Sequence, residues 1–586
     1  MWVAMADVKQ DVLDMLRELA ELTILDEGDP QSFRVRAYEN AAHGIGAFAG
    51  EIGALDLKGL QAIENVGKST AEKIRELLAT GKVAKLEGLR AKHPPSVVAL
   101  MRLPGVGPKA VMRLRAELGV QSLEDLRAAL AAHKLAALKG FGPKSEGKLA
   151  ESLARLDAQG AVSRTPISVA LPLAARIVAR LSEVPGVAHA SYCGSLRRFA
   201  ETCGDVDVIV AASDAAPVME AFVAMPLVDR VLGRGDTKTS VVTPRGIQID
   251  VRVVSPHQLG AALLYFTGSK SHNVKLRQRA LARGLTLNEY ALTAIEGGQI
   301  VASETEEEIY AALGLPFIPP VLREDTGELE AAEAGTLPKP IGAVMGDFHL
   351  HTSMSGDGRS SLEEMVAAAR ARGYRALAVT DHAEGTVSGV GREAFLDQRA
   401  KIRGLEAQLG DSFKLLHGVE LNIGPAGELD YDLEFRRGFD WCLASVHDHL
   451  NLDRAAQTKR IVTAMHDPTV RMIGHLTTRM IGGRPPIDLD PDAILSAAEQ
   501  TGTALEINGA LPRLDLPTEW LRRARGRDID FVLDSDAHQV DELERSRYAK
   551  LNAERAGLDP ARVVNAGPPE RLLAWLETKA PRPSRP

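Results

Sequence analysis

Two aspartates one residue apart, Asp205 and Asp207 in "GDVDVIV", and a third, Asp250 in "GIQIDVRVV", sit in runs of alternating apolar residues. A strand's period of two sends Asp205 and Asp207 to one face and Val206 and Val208 to the other. In the second run Ile247, Ile249 and Val251 turn inward, while Gln248, Asp250 and Arg252 turn outward. If the two strands are neighbours, three carboxylates converge, and like charges that close repel unless cations lie between them. Hard oxygen ligands suit Mg2+ or Mn2+, which combine carboxylates with phosphate oxygens. Two such ions activate an attacking hydroxyl and neutralise a leaving pyrophosphate. Just upstream, "CGSLRR" offers what would hold the phosphates: backbone N–H and hydroxyl donors at Gly194 and Ser195, and a guanidinium at Arg198 that can grip bidentately. Turn, arginines and carboxylates are together the parts of a nucleotidyl-transfer site.

A second set of ligand types begins at "DFHLHTSMSGDG", where His349 and His351 share one strand face. Asp357, His382 in "VTDH", Glu420 in "HGVELN", His447 in "ASVHDH", His475 in "IGHL", and Asp536 and His538 in "SDAH" follow. A lone histidine in an apolar context is usually a satisfied core residue, but ligand types recurring after nearly every strand do not fit that pattern. Imidazole and carboxylate without thiolate suit Zn2+, Mn2+ or Fe, and the set is too large for one tetrahedral ion, so a cluster of two or three ions is expected. Arg479 in "TTRM" can grip a phosphate or form a structural ion pair, and the sequence does not choose.

The elements that must position these groups are legible as changes of period. Residues 1–160 read as helical, with Gly-x-Gly punctuation. Between about 165 and 255 come the β-branched runs "HASYCG", "DVDVIVAA", "KTSVVT" and "IQIDVRVV". Residues 258–315 return to helix and end in a small strand-rich piece, and "PFIPPVLREDTGELEAAEAGTLPKP" has the Pro, Gly and acid content of a linker. After 345, strands alternate with helices, which places the ligand types at the C-terminal ends of strands in an α/β architecture. "KAPRPSRP" reads as a disordered tail.

Within the helical part, "ENVGKSTAEKI", "LPGVGPKAVMRL" and "LKGFGPKSEGKL" repeat one theme. Each sets glycines (Gly67; Gly105 and Gly107; Gly142) in a tight turn ahead of a helix whose free N–H groups suit a phosphate oxygen. A lysine stands beside each: Lys68, Lys109 and Lys144. These turns resemble the helix-hairpin-helix family, which contacts DNA backbone without reading sequence. The first copy has Asn65 where the leading glycine is expected, and asparagine tolerates the left-handed region better than most residues.

At 586 residues the chain is several domains long, and its 45% apolar content is ordinary for soluble globular protein. No apolar run approaches the ~20 residues that span a bilayer, and no signal-peptide pattern is present. Three cysteines, Cys193, Cys203 and Cys442, without a Cys-x-x-Cys, argue against disulfides or a thiolate zinc site, so a cytoplasmic protein is expected. The net charge of -8 conceals an asymmetry: residues 81–180 hold 17 Lys and Arg against 7 Asp and Glu, the footprint of a phosphate-facing surface.

"GSLRR", "GDVDV", "IDVR", "YFTGSKSHNVKLRQRAL" and "LNEYAL", in that order, closely resemble DNA polymerase family X, the polymerase-beta-like enzymes, over roughly residues 5–320. The resemblance implies that Asp205, Asp207 and Asp250 hold two Mg2+ or Mn2+ ions, with Asp250 taking the primer hydroxyl proton. It implies Gly194, Ser195, Arg198 and Gly204 on the incoming deoxynucleoside triphosphate, and Tyr265, Phe266, Gly268 and Asn273 around its sugar and base. Arg277 would contact the template strand. "GKSTAEKIRELLATGK" resembles the family's lyase domain, with Lys73 at the Schiff-base position, although Lys73 also reads as an ordinary helix lysine beside Glu72 and Glu76. The histidine-rich set resembles the PHP (polymerase and histidinol phosphatase) domain over roughly 345–575. That implies an Mn2+ or Zn2+ cluster on His349, His351, Asp357, His382, Glu420, His447, His475, Asp536 and His538, and phosphoester hydrolysis.

The implied fold is multidomain: a helical helix-hairpin-helix N-terminal region, an α+β nucleotidyltransferase palm and thumb, and a C-terminal distorted (β/α)7 PHP barrel. The expected boundaries are 1–85 lyase-like, 86–160 helix-hairpin-helix, 161–256 palm, 257–320 nucleotide-selecting, 321–344 linker, 345–575 PHP and 576–586 tail. Polymerase followed by PHP is the order of bacterial family X polymerases, the PolX group. It implies filling of short gaps in gapped or nicked DNA during repair, with 3′–5′ exonuclease and possible abasic-site endonuclease or 3′-phosphatase activity, in a monomer without membrane contact. Two other readings fit the residues: a PHP phosphoesterase for a small phosphate ester with a merely DNA-binding N-terminal half, and a non-catalytic DNA-end binder.

Overall fold

The computed structural model describes residues 2–29, 32–48, 52–100, 108–135, 142, 146–147, 149–150, 164–386 and 388–579. It divides into two compact units: Met1–Thr165, Pro172–Tyr192 and Gly204–Pro256 form the first, and Pro166–Leu171, Cys193–Cys203 and His257–Pro586 the second.

The first unit begins with helices. On Trp2–Glu27 the residues Val12, Leu16 and Leu19 recur at helical spacing and are buried, with Val35, Ala41 and Ile45 of Phe33–Ala47 in the same apolar cluster. The cluster continues through Leu60, Ile74, Leu86, Val97, Leu114 and Leu126 to Leu149. The remainder of the unit contains a five-stranded sheet in the order Val187–Tyr192, Val206–Ala212, Gln248–Val254, Lys238–Val242, Arg230–Arg234. Only the central pair, Val206–Ala212 with Gln248–Val254, is parallel. Val208, Ile249 and Val251 are buried on it, against the half-exposed Asp207, Gln248 and Asp250, so the period-two alternation holds through the site.

In the second unit, helices Leu259–Thr267 and Lys270–Leu281 and a three-stranded antiparallel sheet (Leu285–Leu287, Leu292–Ala294, Ile300–Ala302) enclose Leu264, Leu276, Leu292, Tyr310 and Ile318. The stretch read as a linker carries structure of its own. It contains helix Glu328–Glu333, whose first residue pairs with buried His272 at 2.7 Å and accepts from the backbone N–H groups of Asp325 and Thr326.

The rest of the unit is a parallel barrel. Its seven strands, Gly346–Asp347, Ala376–Val379, Lys414–Asn422, Trp441–Ser445, Val470–Ile473, Ala504–Asn508 and Phe531–Asp534, neighbour one another in chain order. The first and last ends meet where Phe348 N–H donates to Asp534 and Leu350 bridges Ala537, which nearly closes the cylinder. Every second residue of a strand shares a face. At the N-terminal ends those positions are apolar and cluster together: Ala376, Ala378, Leu416, Trp441, Leu443, Met472, Ala504 and Val532. Followed two by two toward the C-terminal ends, the same rows become Thr380 and His382, Glu420 and Asn422, Ser445 and His447, Glu506 and Asn508, and Asp534 and Asp536. The barrel therefore has a packed floor and a polar mouth. No helix among the described residues is long and apolar enough to cross a membrane.

Candidate active sites

In the first unit, parallel pairing sets Asp207 directly opposite Asp250. Asp205 stands exposed at the bend that opens the strand. Lys238, from the next strand, places Nζ 2.6 Å from Asp250 Oδ2, and Gln248 donates to Oδ1 at 3.1 Å. The two carboxylates thus differ. Burial, then the charges of Asp205 and Asp250, raise Asp207 to about 7. Burial acts the same way on Asp250, but hydrogen bonds from Lys238, Ser240 and Gln248 outweigh it and hold that carboxyl below its usual range. A half-buried carboxylate held partly protonated by its neighbours is the environment a divalent cation relieves, so the donor set fits hard divalent ions. The sequence reading did not single out Lys238; its only signal was a cation at the start of the neighbouring run "KTSVVT".

Gly204 belongs to the same unit; Gly194, Ser195 and Arg198 belong to the second, with Tyr265, Phe266, Gly268, Asn273 and Arg277. Gly194 (φ 61°) opens the short helix Gly194–Arg197. Arg197 is bound to Glu306 through both Nη atoms at 3.0 and 2.7 Å. Arg198 donates to the Thr267 carbonyl and, through Nε, to Glu324 at 3.1 Å. Gly268 (φ 68°) leaves room beside that guanidinium: a Cβ there would stand 3.2 Å from Arg198 Nη1. Tyr265 is exposed, Asn273 caps its carbonyl at 2.7 Å, and Arg277 reaches back to the Asn273 carbonyl at 3.3 Å.

Among the hairpin residues, Asn65 adopts φ 64°, the left-handed conformation its place in the turn requires. Gly67 and Lys68 are exposed at the start of Lys68–Thr80, which has no side-chain cap. No described atom lies within 4 Å of where a Cβ would stand at Gly67 or Gly142. Lys109 lies on Pro108–Leu118, while Gly105, Gly107 and Lys144 lie outside the described residues. Lys73 donates to the Ser69 carbonyl and hydroxyl at 3.0 and 2.8 Å and lies 5.8 Å from the centre of the Tyr38 ring. Burial lowers its pKa against the opposing charges of Glu72 and Glu76, the direction a nucleophilic amine needs.

The barrel mouth gathers the second set. Nε2 of His349 and of His351 each lie 3.6 Å from Asp536 Oδ1, and 3.4 and 3.5 Å from the two Glu420 oxygens. His349, His351 and Asp536 offer ligand atoms that all lie within 4.8 Å of one another, a spacing that suits a common ion. Glu420 Oε1 also lies 3.2 Å from His447 Nε2 and 3.1 Å from His475 Nε2. Asp357 Oδ2 lies 3.3 Å from His382 Nε2 and 3.6 Å from His538 Nε2, and His382 Nδ1 returns to Glu420 at 2.8 Å. Among the described residues four overlapping triads therefore meet, His351–His382–His538, His349–His351–Asp536, His349–Glu420–His475 and His382–Glu420–His447, two of them sharing Glu420.

His349 Nε2, His351 Nε2 and both Glu420 oxygens are buried without a hydrogen-bond partner. Those orphaned donor atoms, aimed at one another, fit divalent cations between them. The electrostatics agree. Burial works against a charged His382, yet Glu420 and Asp357 lift it to about 10, a proton held where a cation would lie; burial and the neighbouring His382 and His538 push His351 down to about 3.

Two buried residues passed over in the sequence orient this cluster. Glu506 takes His349 Nδ1 at 2.6 Å, and Asn508 donates to both Glu506 and Asp536. Both lie in "TALEIN", on the same strand face as the ligands, which was the available signal. Arg513 approaches Asp536 at 3.7 Å. Arg479 forms the structural ion pair: its two Nη atoms hold Glu201 at 2.9 Å each.

The chain matches known families along most of its length: a helix-hairpin-helix domain over residues 7–83, a SAM-like helix-hairpin-helix tandem over 97–155, the DNA polymerase beta palm over 164–242, the DNA polymerase beta thumb over 262–324 and the PHP domain over 347–510. It is 35% identical over 573 residues to the DNA polymerase/3′–5′ exonuclease PolX of Bacillus subtilis (strain 168), covering 97% of this chain and 99% of that one. It is 28% identical over 301 residues to DNA polymerase lambda of Rattus norvegicus, 45% of this chain and 48% of the relative. It is also 28% identical over 247 residues to a probable phosphatase of Vibrio vulnificus, 40% of this chain and 94% of the relative.

Proposed function

Since the chain belongs to the PolX branch of family X DNA polymerases, a polymerase-beta-like core joined to a PHP domain, we propose that it fills short gaps in DNA and trims 3′ ends at a second, separate centre. The observation that carries the first activity is the direct opposition of Asp207 and Asp250 on parallel strands, with Asp205 beside them. These three would hold Mg2+ or Mn2+, which supplies Lewis acidity toward the primer 3′-hydroxyl and the departing pyrophosphate. Asp250, ionised beside Lys238, would accept the hydroxyl proton, the role that the likeness to family X assigns it. Ser195 and the N–H groups around Gly194 would bind the triphosphate together with Arg198, with Gly204 in the turn before Asp205. Tyr265, Phe266, Gly268 and Asn273 would border sugar and base, and Arg277 the template strand. Gly67, Lys68, Gly105, Gly107, Lys109, Gly142 and Lys144 would track the backbone of gapped or nicked DNA, and Lys73 would serve as the amine toward an abasic sugar.

At the barrel mouth His349, His351, Asp357, His382, Glu420, His447, His475, Asp536 and His538 would hold Mn2+ or Zn2+, which activates water for attack on a phosphoester. Glu506 fixes the His349 tautomer, and Arg513 offers positive charge to the departing phosphate. The likeness to a probable phosphatase favours phosphomonoester removal from a 3′ end alongside exonuclease action.

The test supplies the purified chain with one- to five-nucleotide gaps, deoxynucleoside triphosphates and Mg2+ or Mn2+, and separately with labelled 3′-mismatched or 3′-phosphorylated primers. Template-directed extension and release of the 3′ group are expected. Absence of extension with both metals overturns the polymerase reading.

A further inference from the structure

The triphosphate-facing loop is clasped by the barrel domain. Residues 193–203 belong to the same compact unit as the barrel, and two separate barrel elements touch them. Arg479, on the loop after His475, holds Glu201 with two parallel hydrogen bonds of 2.9 Å, while its Nε donates to the Arg513 carbonyl at 2.9 Å. That guanidinium is almost fully buried, so its direction is fixed by the barrel and not by solvent. Arg555, on helix Ser546–Ala556, donates to the Arg198 carbonyl and pairs with Glu324 Oε1 at 2.8 Å. The same oxygen of Glu324 accepts from Arg198 Nε at 3.1 Å. Between these anchors Phe199, at φ 57°, stacks on Tyr548 of that barrel helix, ring centres 6.0 Å apart and planes 13° from parallel.

We propose that Arg479 and Arg555 are positioning residues for nucleotide incorporation: the barrel domain holds the loop that carries Ser195 and Arg198, and Arg555 keeps Glu324 from neutralising Arg198. The inference rests on the polymerase reading and adds a role in that reaction for the domain that hydrolyses phosphoesters. Two anions compete for one guanidinium. Glu324 and an incoming triphosphate are both anions that Arg198 can bind, and the triphosphate must displace the carboxylate to be gripped. Because Arg555 also bonds Glu324, the carboxylate retains a cationic partner when Arg198 turns to the nucleotide. Without Arg555, displacing Glu324 leaves a carboxylate unpaired, and the Arg198 backbone loses its donor as well. The Arg479–Glu201 pair acts on the other end of the loop, where the chain leaves it toward Asp205.

The experiment measures single-nucleotide gap filling at varied triphosphate concentration for the full-length chain and for Arg555→Met, Arg555→Lys and Glu201→Gln, with 3′-end removal measured on the same preparations. Arg555→Met and Glu201→Gln are expected to raise the KM for the triphosphate by about 3- to 10-fold, the effect of losing a partly screened charge-assisted hydrogen bond, with kcat within about 2-fold. Arg555→Lys, which can still pair with Glu324, is expected to stay near the parent. Release of 3′ ends should be unchanged in all three, which separates a held loop from a damaged barrel. An unchanged triphosphate KM in Arg555→Met and Glu201→Gln overturns the proposal, as does a parallel loss of both activities. If Arg555→Met does not fold, Glu201→Gln, outside the barrel, decides the question. A parent chain that incorporates no nucleotide would sink the polymerase reading itself, a result distinct from either outcome.

Discussion

Asp207 and Asp250 face each other across a parallel strand pair, and their surroundings drive their proton affinities apart: one carboxyl has a lysine at 2.6 Å, the other is half-buried beside two acids. One carboxyl is thus ionised at neutral pH by its own neighbours, while the other is the group that a nearby cation would relieve. Buried titratable groups away from the metal centres obey the same rule with a readable consequence. His417, in strand Lys414–Asn422, packs with its ring 4.7 Å from Phe439, and burial, then the Arg399 charge, pushes it down to about 3. Its pKa in the unfolded chain is near 6.5, so below that pH the unfolded state gains a proton the folded state refuses. The stability His417 contributes is therefore complete above about pH 6.5 and declines as pH falls toward 3. Replacing it with leucine should shrink the stability difference between pH 7 and pH 5 by about 2 kcal/mol, one proton's linkage over that interval. Denaturant melts of the barrel's tryptophan fluorescence at the two pH values measure this; an unchanged difference would contradict the assignment.

The elements explain why the barrel mouth was readable and where reading stopped. Histidines and acids at the ends of short β-branched runs announced themselves because a strand of period two can present such groups only to one face. Glu506 was less legible, since a mid-strand carboxylate signals neither ligand nor orienting partner until His349 is found 157 positions away in sequence. The stretch 321–344 looked like a linker from its Pro, Gly and acids. Its Glu328 is nevertheless packed on His272, a contact between residues 56 apart that composition does not encode. Asn65 was the reverse case, where local backbone chemistry alone anticipated a left-handed turn. Close strand packing adds a constraint invisible in sequence at Gly474, where a Cβ would collide with Ser445 Oγ and with Leu443 Cδ1. Gly474→Ala should push Ser445 and Leu443 out of place on the strand that leads to His447, lower bound metal measured by elemental analysis, and reduce 3′-end release at least about 10-fold, as expected when a ligand or its support moves. Primer extension should persist, and full metal content in this variant would show that the cluster does not depend on that spacing.

At the scale of the whole molecule, each proposed set of metal ligands is complete within its own unit. The aspartates come from one sheet of the first, the histidines and their carboxylates from one barrel of the second. Two chemistries that both act at a DNA 3′ end can then share a chain without sharing a metal, and an overall charge of -8 is compatible with DNA binding because the basic excess is concentrated in residues 81–180. Crossed loss of activity would reveal that separation. Asp205→Ala with Asp207→Ala should abolish gap filling while leaving 3′-end release within about 2-fold, and His349→Ala should do the opposite, since each removes a group acting only in its own transition state. Loss of both activities in either variant, with folding intact, would contradict the account.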